Sequence, residues 1–238
     1  MTRNSLNFLL LFCVFSFAED IWDFSAKIGI NLGGTMPRPM PNNISKVESY
    51  SPNLAPTIEA EALRWISKKI GISAGTRLEN KGMKSTASVK EYSIKLKNSD
   101  DNATFNGMVD TEMSFNYLGL PILAHYAFSK NFSVYAGAYY AYLLSGEFKV
   151  TARDGLYNDG KDTPITFNHE GEKTPFSEYL RNYDTGLSIG LNFMPYNEHI
   201  LVSFGFNYGL VSVFPDDFTD ISDDMQNVYG KLSVGYLF

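Results

Sequence analysis

The stretch Tyr183-Asp184-Thr185-Gly186-Leu187-Ser188-Ile189-Gly190-Leu191-Asn192-Phe193 decides the fold. Successive side chains of a β-strand point to opposite faces. Tyr183, Thr185, Leu187, Ile189, Leu191 and Phe193 therefore share one face, and Asp184, Gly186, Ser188, Gly190 and Asn192 share the other. One face is large and greasy, the other small and polar. Period two of this kind predicts a strand with two different solvents on its two sides.

The pattern recurs along the chain. Val202, Phe204, Phe206, Tyr208 and Leu210 oppose Ser203, Gly205, Asn207 and Gly209. Val228, Leu232, Val234, Tyr236 and Phe238 oppose Lys231, Ser233 and Gly235. Phe24, Ala26, Ile28, Ile30 and Leu32 oppose Ser25, Lys27, Gly29, Asn31 and Gly33, and Ile70 to Leu78 opposes Gly71 to Glu79. Three segments are less regular. Ile58, Ala60 and Ala62 oppose Glu59 and Glu61, but the alternation slips at Leu63-Arg64-Trp65, where a bulge is expected. Segments 114–128 and 132–144 have apolar residues on both sides. Eight strands are predicted in all, with a ten-stranded count open because Val89 to Leu96 also alternates.

The gaps between these strands alternate as well. Ser67-Lys68-Lys69, Ser129-Lys130-Asn131 and Pro195-Tyr196-Asn197-Glu198-His199 are short. Gly34 to Pro56, Asn80 to Glu112, Gly146 to Asn182 and Ser212 to Gln226 are long and rich in Gly, Pro, Asn and Asp, the residues of turns. Short turns on one side and long loops on the other are the asymmetry of an up-and-down outer-membrane barrel. A soluble sandwich has no reason to sort its loops by side; a soluble periplasmic barrel of lipocalin type is a rival that cell fractionation separates. The expected fold is an all-β, eight-stranded antiparallel up-and-down transmembrane β-barrel with short periplasmic turns and long extracellular loops.

The greasy face should meet lipid, because the opposite face is too small and too sparsely charged to be a solvated surface. Phe24, Phe193, Tyr208, Tyr236 and Phe238 sit toward strand ends, as membrane-interface girdles do. The strand charges Lys27, Glu59, Glu61, Arg77, Glu79, Asp184 and Lys231 all fall on the small-residue face. They are expected to form a lumenal polar network whose role is structural. If the tight turn centres on Lys68, Glu59 lies opposite Arg77, a lumenal ion pair.

Composition bounds the rest. The 238 residues include 15 Tyr, 18 Phe and 19 Gly, with a net charge of −6. The sequence pI of about 5.1 offers no basic field for nucleic acid. Mean hydropathy is −0.16, too polar for a bundle of spanning helices. The start differs: Arg3, an apolar run from Leu6 to Phe17 and a small-x-small site at Ser16-Phe17-Ala18 predict a signal peptide over 1–18, leaving a barrel domain over 19–238. Cys13 is the only cysteine and lies in that leader, so the mature chain is free of thiols. Losing Arg3 takes its net charge from −6 to −7.

Four stretches resemble the bacterial outer-membrane β-barrel proteins called porin-like or PorT-like. They are Phe24 to Leu32 with its G-x-N-L core, Asn116-Tyr117-Leu118-Gly119-Leu120-Pro121-Ile122-Leu123, Ala136 to Ser145, and the closing Gly230 to Phe238. The resemblance implies export to the bacterial outer membrane and contact with its lipids. It also implies an assembly machinery that reads the terminal Tyr236 and Phe238. Gly119 and Gly75 stand where the family tends to carry Glu, so no role of those carboxylates passes to this chain.

No chemistry emerges from the motifs. His125, His169 and His199 have no metal-ligand spacing, and the acidic clusters at 100–101 and 216–224 lack an EF-hand pattern. His125 has no Ser or carboxylate nearby in sequence to form a hydrolase site. No catalytic, cofactor-binding or metal residue is assigned, and no enzyme is expected. The expected role is structural or surface-interactive, with a filled lumen, no large pore and loops that meet an extracellular ligand or protein. A PorT-like part in protein export is the first alternative, and an outer-membrane lipid-modifying enzyme the second.

Overall fold

In hydrocarbon every backbone N–H and C=O must find a partner within the protein, and only a closed sheet gives strands that. The computed structural model describes residues 22–38, 44–52, 55–95, 102–158, 165–167, 173–175, 177–195, 199–216 and 224–238. The expected leader over 1–18 lies outside the described residues. Eleven strands are present among them: β1 (Trp22–Arg38), β2 (Ile44–Pro52), β3 (Ala55–Trp65), β4 (Ile70–Lys95), β5 (Asn102–Ala127), β6 (Phe132–Asn158), β7 (Ile165–Phe167), β8 (Lys173–Pro175), β9 (Tyr183–Phe193), β10 (Ile200–Ser212) and β11 (Asp224–Leu237). Eight of them form a ring in the order β1, β3, β4, β5, β6, β9, β10, β11. The β1–β11 pairing closes it, from Ser25 opposite Leu237 to Arg38 opposite Asp224. All ring pairs are antiparallel.

The count is therefore eight and not ten. β2 pairs only with β4, and β7 and β8 only with β6, so none of the three enters the ring. β4 and β5 each run 26 residues and β6 runs 27. A tilted membrane crossing needs roughly 9–11. The surplus carries this hairpin past the membrane into an extracellular sheet, which β2 widens through pairs between 44–52 and 83–89. Much of the expected second and third loops is thus strand. The Arg153-Asp154-Gly155 cluster, read as a turn, is an irregularity inside β6: Asp154 has φ 49°, and the register slips there against Asn106 and Met108.

The expected bulge at Leu63-Arg64-Trp65 is absent. β3 pairs with β4 without a break through Trp65 opposite Gly71. What changes is the chemistry of the faces at the periplasmic rim, where the outward side chain no longer meets hydrocarbon. Arg64 points out and stacks its guanidinium 5.5 Å over the Trp22 ring. Trp65 donates its Nε1–H to Asp23 Oδ2 at 2.6 Å.

The faces fall as the alternation predicts. Ile189 is 58% exposed and Val234 49%, whereas Ser203 is fully buried. Aromatic pairs mark both edges of the apolar band. Phe132–Phe193 and Tyr126–Phe128 lie near the short turns, and Tyr140–Tyr183 near the outer side. Above them Asn80 donates to Asn116, which donates to Ser145, a polar ladder where the wall meets water again.

Small residues on one strand make room for large ones on the strand beside it. The inward Gly190 of β9 lies under Tyr135 of β6, so a Cβ there would come within 2.4 Å of the ring. Gly186 stands in the same relation to Tyr139. Gly119 is different: a Cβ would find only ordinary contacts, the nearest at 3.6 Å. Gly190→Ala is expected to lower unfolding stability by about 1–3 kcal/mol through overpacking. Gly119→Ala is expected to be neutral or stabilising by up to about 1 kcal/mol, because the unfolded chain loses freedom. Urea unfolding of the barrel in lipid vesicles measures both.

Candidate functional site

The lumen is where the ring gathers buried charge. Alternation sends Lys27 inward from β1, Glu59 and Glu61 from β3, Arg77 and Glu79 from β4, Asp184 from β9 and Lys231 from β11, and each is buried. Lys27 Nζ lies 2.7 Å from Glu59 and 3.0 Å from Glu61. Lys231 Nζ donates to the other oxygen of Glu59. Glu59 is thus held between lysines of β1 and β11, the two strands that close the ring. The expected register does put Glu59 opposite Arg77. The guanidinium sits farther off, with Nε 3.9 Å from Glu59 and 3.5 Å from Glu79, because the lysines fill the nearer positions.

A fourth cation completes the set. Lys81 of β4 lies 3.5 Å from Glu79 and 2.8 Å from Asp184. Its ammonium also sits 4.9 Å from the Tyr117 and Tyr139 ring centres and 5.9 Å from that of Tyr229, a cage suited to a cation. Asp184 further accepts from Tyr139 OH at 3.1 Å and Asn227 Nδ2 at 3.0 Å. Lys27, Arg77, Lys81 and Lys231 therefore face Glu59, Glu61, Glu79 and Asp184, four charges against four. Lys81 escaped the sequence reading because it lies in the stretch taken for a loop. The signal was present: it continues the odd-numbered face of Arg77 and Glu79.

Below the charges, toward the short turns, Ser73 Oγ and His125 Nε2 are 2.8 Å apart, and Glu61 lies 3.8 Å from the same nitrogen. Strand pairing brings together residues that sequence distance hid. The arrangement does not make a relay, since serine and carboxylate address one ring nitrogen and Nδ1 has neither. Ser73 and His125 are 1% and 2% exposed, turned into the lumen and away from lipid.

Above the charges the lumen is apolar. Met83, Met113, Phe115, Phe148, Val213, Phe214 and Met225 pack with Tyr117 and Tyr139 into one buried cluster. The Phe148 and Phe214 rings meet edge to face at 5.0 Å. Arg181 fastens this lid: it donates to the carbonyls of Ser212 and Phe214, to Tyr183 OH and to Asp216. In the extracellular sheet, hydrogen bonds from Lys46 and Ser88 hold the Glu48 carboxyl below the usual carboxylate range, and the one from Ser88 ties β4 to β2. No group of acidic, His or Cys side chains able to hold a metal ion occurs among the described residues.

Residues 17–215 match the family model described as outer membrane protein beta-barrel domain. The chain belongs to that family. This places the barrel in the bacterial outer membrane, with its short turns periplasmic and its long connections outside. Three solved outer-membrane proteins are similar to the chain at low identity. Ail, the attachment invasion locus protein of Yersinia pestis, is 14% identical with a TM-score of 0.43, over 91% of this chain and 98% of its own. Neisserial surface protein A is 9% identical with a TM-score of 0.39, over 91% and 97%. OprG of Pseudomonas aeruginosa is 12% identical with a TM-score of 0.36, over 92% and 96%. No curated protein matches the chain.

Removing one member of a buried charge cluster strands its partners. Glu59→Gln is expected to cost about 3–5 kcal/mol, since it leaves Lys27 and Lys231 short of a counter-charge. The exposed pair Lys84–Glu112, at 3.0 Å, serves as the comparison. Glu112→Gln is expected to cost less than about 1 kcal/mol. Chemical unfolding in vesicles, followed by tryptophan fluorescence, separates the two.

Proposed function

We propose that this protein is a plugged outer-membrane anchor that displays a β-sheet outside the cell for interaction, and not a diffusion pore. The observation that carries the reading is the filling of the lumen: a balanced charge layer under an apolar lid. An eight-stranded ring has an interior that side chains can fill. A wide pore would need more strands or short inward residues at every level, and Tyr117, Tyr135 and Tyr139 cross the bore here.

The interactive part is the extension of β4, β5 and β6 with β2 along its side. It is about as long as the membrane crossing itself, far more backbone than a connection needs. Its surface mixes Lys46, Lys84 and Glu112 with the exposed Val47, Tyr50 and Leu156, a composition that suits an extracellular ligand or protein. The lumenal charges have a structural role in this reading: they neutralise the interior and brace the closing seam. Export of the PorT kind and lipid modification rest on the resemblance and on His125 respectively, and the lumen-facing Ser73–His125 pair offers a lipid substrate no approach from the bilayer.

Planar-bilayer recording should show no stable conductance of porin size; a long-lived open channel would refute the plug. The mature chain has no cysteine of its own, so single thiols report sidedness. Val47→Cys should react with an impermeant maleimide on intact cells, and Ser129→Cys only after the outer membrane is opened. Unchanged secretion in a deletion strain would separate this reading from export. We further assign Tyr236 and Phe238 as the signal for assembly. Both face outward, 46% and 75% exposed, with ring centres 5.3 Å apart. Removing Phe238 should lower the fraction of chains that reach the heat-resistant folded form.

A further inference from the structure

The outer wall carries a furrow that the wall's own alternation does not require. It spans β3 and β4 near the periplasmic rim, with a volume of about 610 Å³. Its floor is the directly paired Ala62 and Ala74, and its sides are Trp22, Ile72 and Ile122. Other lipid-facing stretches carry large side chains that keep the wall convex, such as Leu187, Ile189, Phe204 and Phe206. Outward alanines recur at Ala26, Ala60 and Ala124, but at Ala62 and Ala74 the flanking Trp22, Ile72 and Ile122 leave a hollow. The volume lies within the roughly 300–1,000 Å³ typical of small-molecule sites.

Arg64 stands at the rim end of this furrow, exposed, with its guanidinium 5.5 Å over the Trp22 ring. The stacking holds the cation at the interface and leaves its edge N–H groups toward the head-group region. The adjoining turn carries Lys68 and Lys69, and a backbone bond from Ala127 to Lys69 ties it to β5, whose own turn holds Lys130. Among the described residues no carboxylate lines the furrow. The described carboxylates on the adjoining strands face inward: Asp23 accepts from Trp65, and Glu61 pairs with Lys27. The mouth is therefore cationic, and the trough running from it toward the membrane centre is apolar.

We propose that this furrow binds one anionic glycerophospholipid of the periplasmic leaflet. Its phosphate meets Arg64 and the lysine turn, and one acyl chain lies over Ala62 and Ala74. The order of the parts matches the order of a lipid in that leaflet: charge at the rim, hydrocarbon above it. The absence of a carboxylate favours a head group with uncompensated negative charge, because a zwitterion's ammonium finds no partner at the mouth.

The full mature barrel, released from mixed-detergent micelles into the gas phase, tests this with phosphatidylglycerol and phosphatidylethanolamine as probes. The wild type should retain one phosphatidylglycerol in preference to phosphatidylethanolamine. Arg64→Gln should weaken phosphatidylglycerol retention about fivefold and leave phosphatidylethanolamine unchanged. Ala74→Leu should fill the trough and reduce retention of both. Circular dichroism and heat-modified gel mobility establish that each variant is folded; if Arg64→Gln fails to fold, Lys68→Gln with Lys69→Gln takes its place. Equal retention of the two lipids by the wild type, or wild-type retention by the folded variants, would overturn the proposal.

Discussion

Closure of the hydrogen-bonded ring is the constraint on which the rest of this structure depends. A strand in hydrocarbon cannot leave an edge unpaired, so β1 must return to β11, and the ring must be small enough to close with the strands available. Closure then assigns each side chain a solvent. Outward residues meet acyl chains and can be large and greasy. Inward residues meet one another across a narrow bore, and their volumes must sum to the space there. Tyr135 and Tyr139 on β6 and the glycines Gly186, Gly190 and Gly205 on β9 and β10 are two halves of one packing solution.

The same narrowness explains the charges. An isolated ion in this interior would be expensive, and each one has been met by an opposite charge, from a different strand or, for Glu79, from Arg77 and Lys81 of its own. Glu59 takes lysines from both strands of the closing seam, and Asp184 takes Lys81 together with a tyrosine hydroxyl and an amide. These contacts run across the bore and along the wall, so they brace the ring against flattening. The apolar lid above them is the complementary device: it seals the charged layer from the extracellular side, and Arg181 holds the loop ends that form it.

Legibility followed the environment. Where a strand faced lipid on one side and a packed bore on the other, period two was sharp, and segments such as 183–193 and 202–210 could be placed on the correct faces. A three-residue turn leaves little freedom of register, which is why Glu59 could be set opposite Arg77. Beyond the membrane the outer face meets water, both faces become mixed, and the long strands of β4, β5 and β6 read as loops. Asp154 and Gly155 were turn residues in composition but serve a local slip in a strand. Lys81 was lost with the misplaced loop, and the Ser73–His125 contact was invisible because their strands are adjacent in space while 52 positions apart in sequence.

The choice of eight strands over ten came from the pairing of the ring. Sequence alone settled the rest of the architecture as an all-β up-and-down barrel, greasy side out, with short connections at one end and long ones at the other. It could do so because the membrane imposes a solvent contrast on every second residue, a signal written locally. Tertiary structure alone decided which charges meet, where the bore is sealed, how far the hairpins rise above the bilayer and where the outer wall is hollow. Those features depend on curvature and on the stagger between strands, which bring together residues whose spacing along the chain carries no trace of their contact.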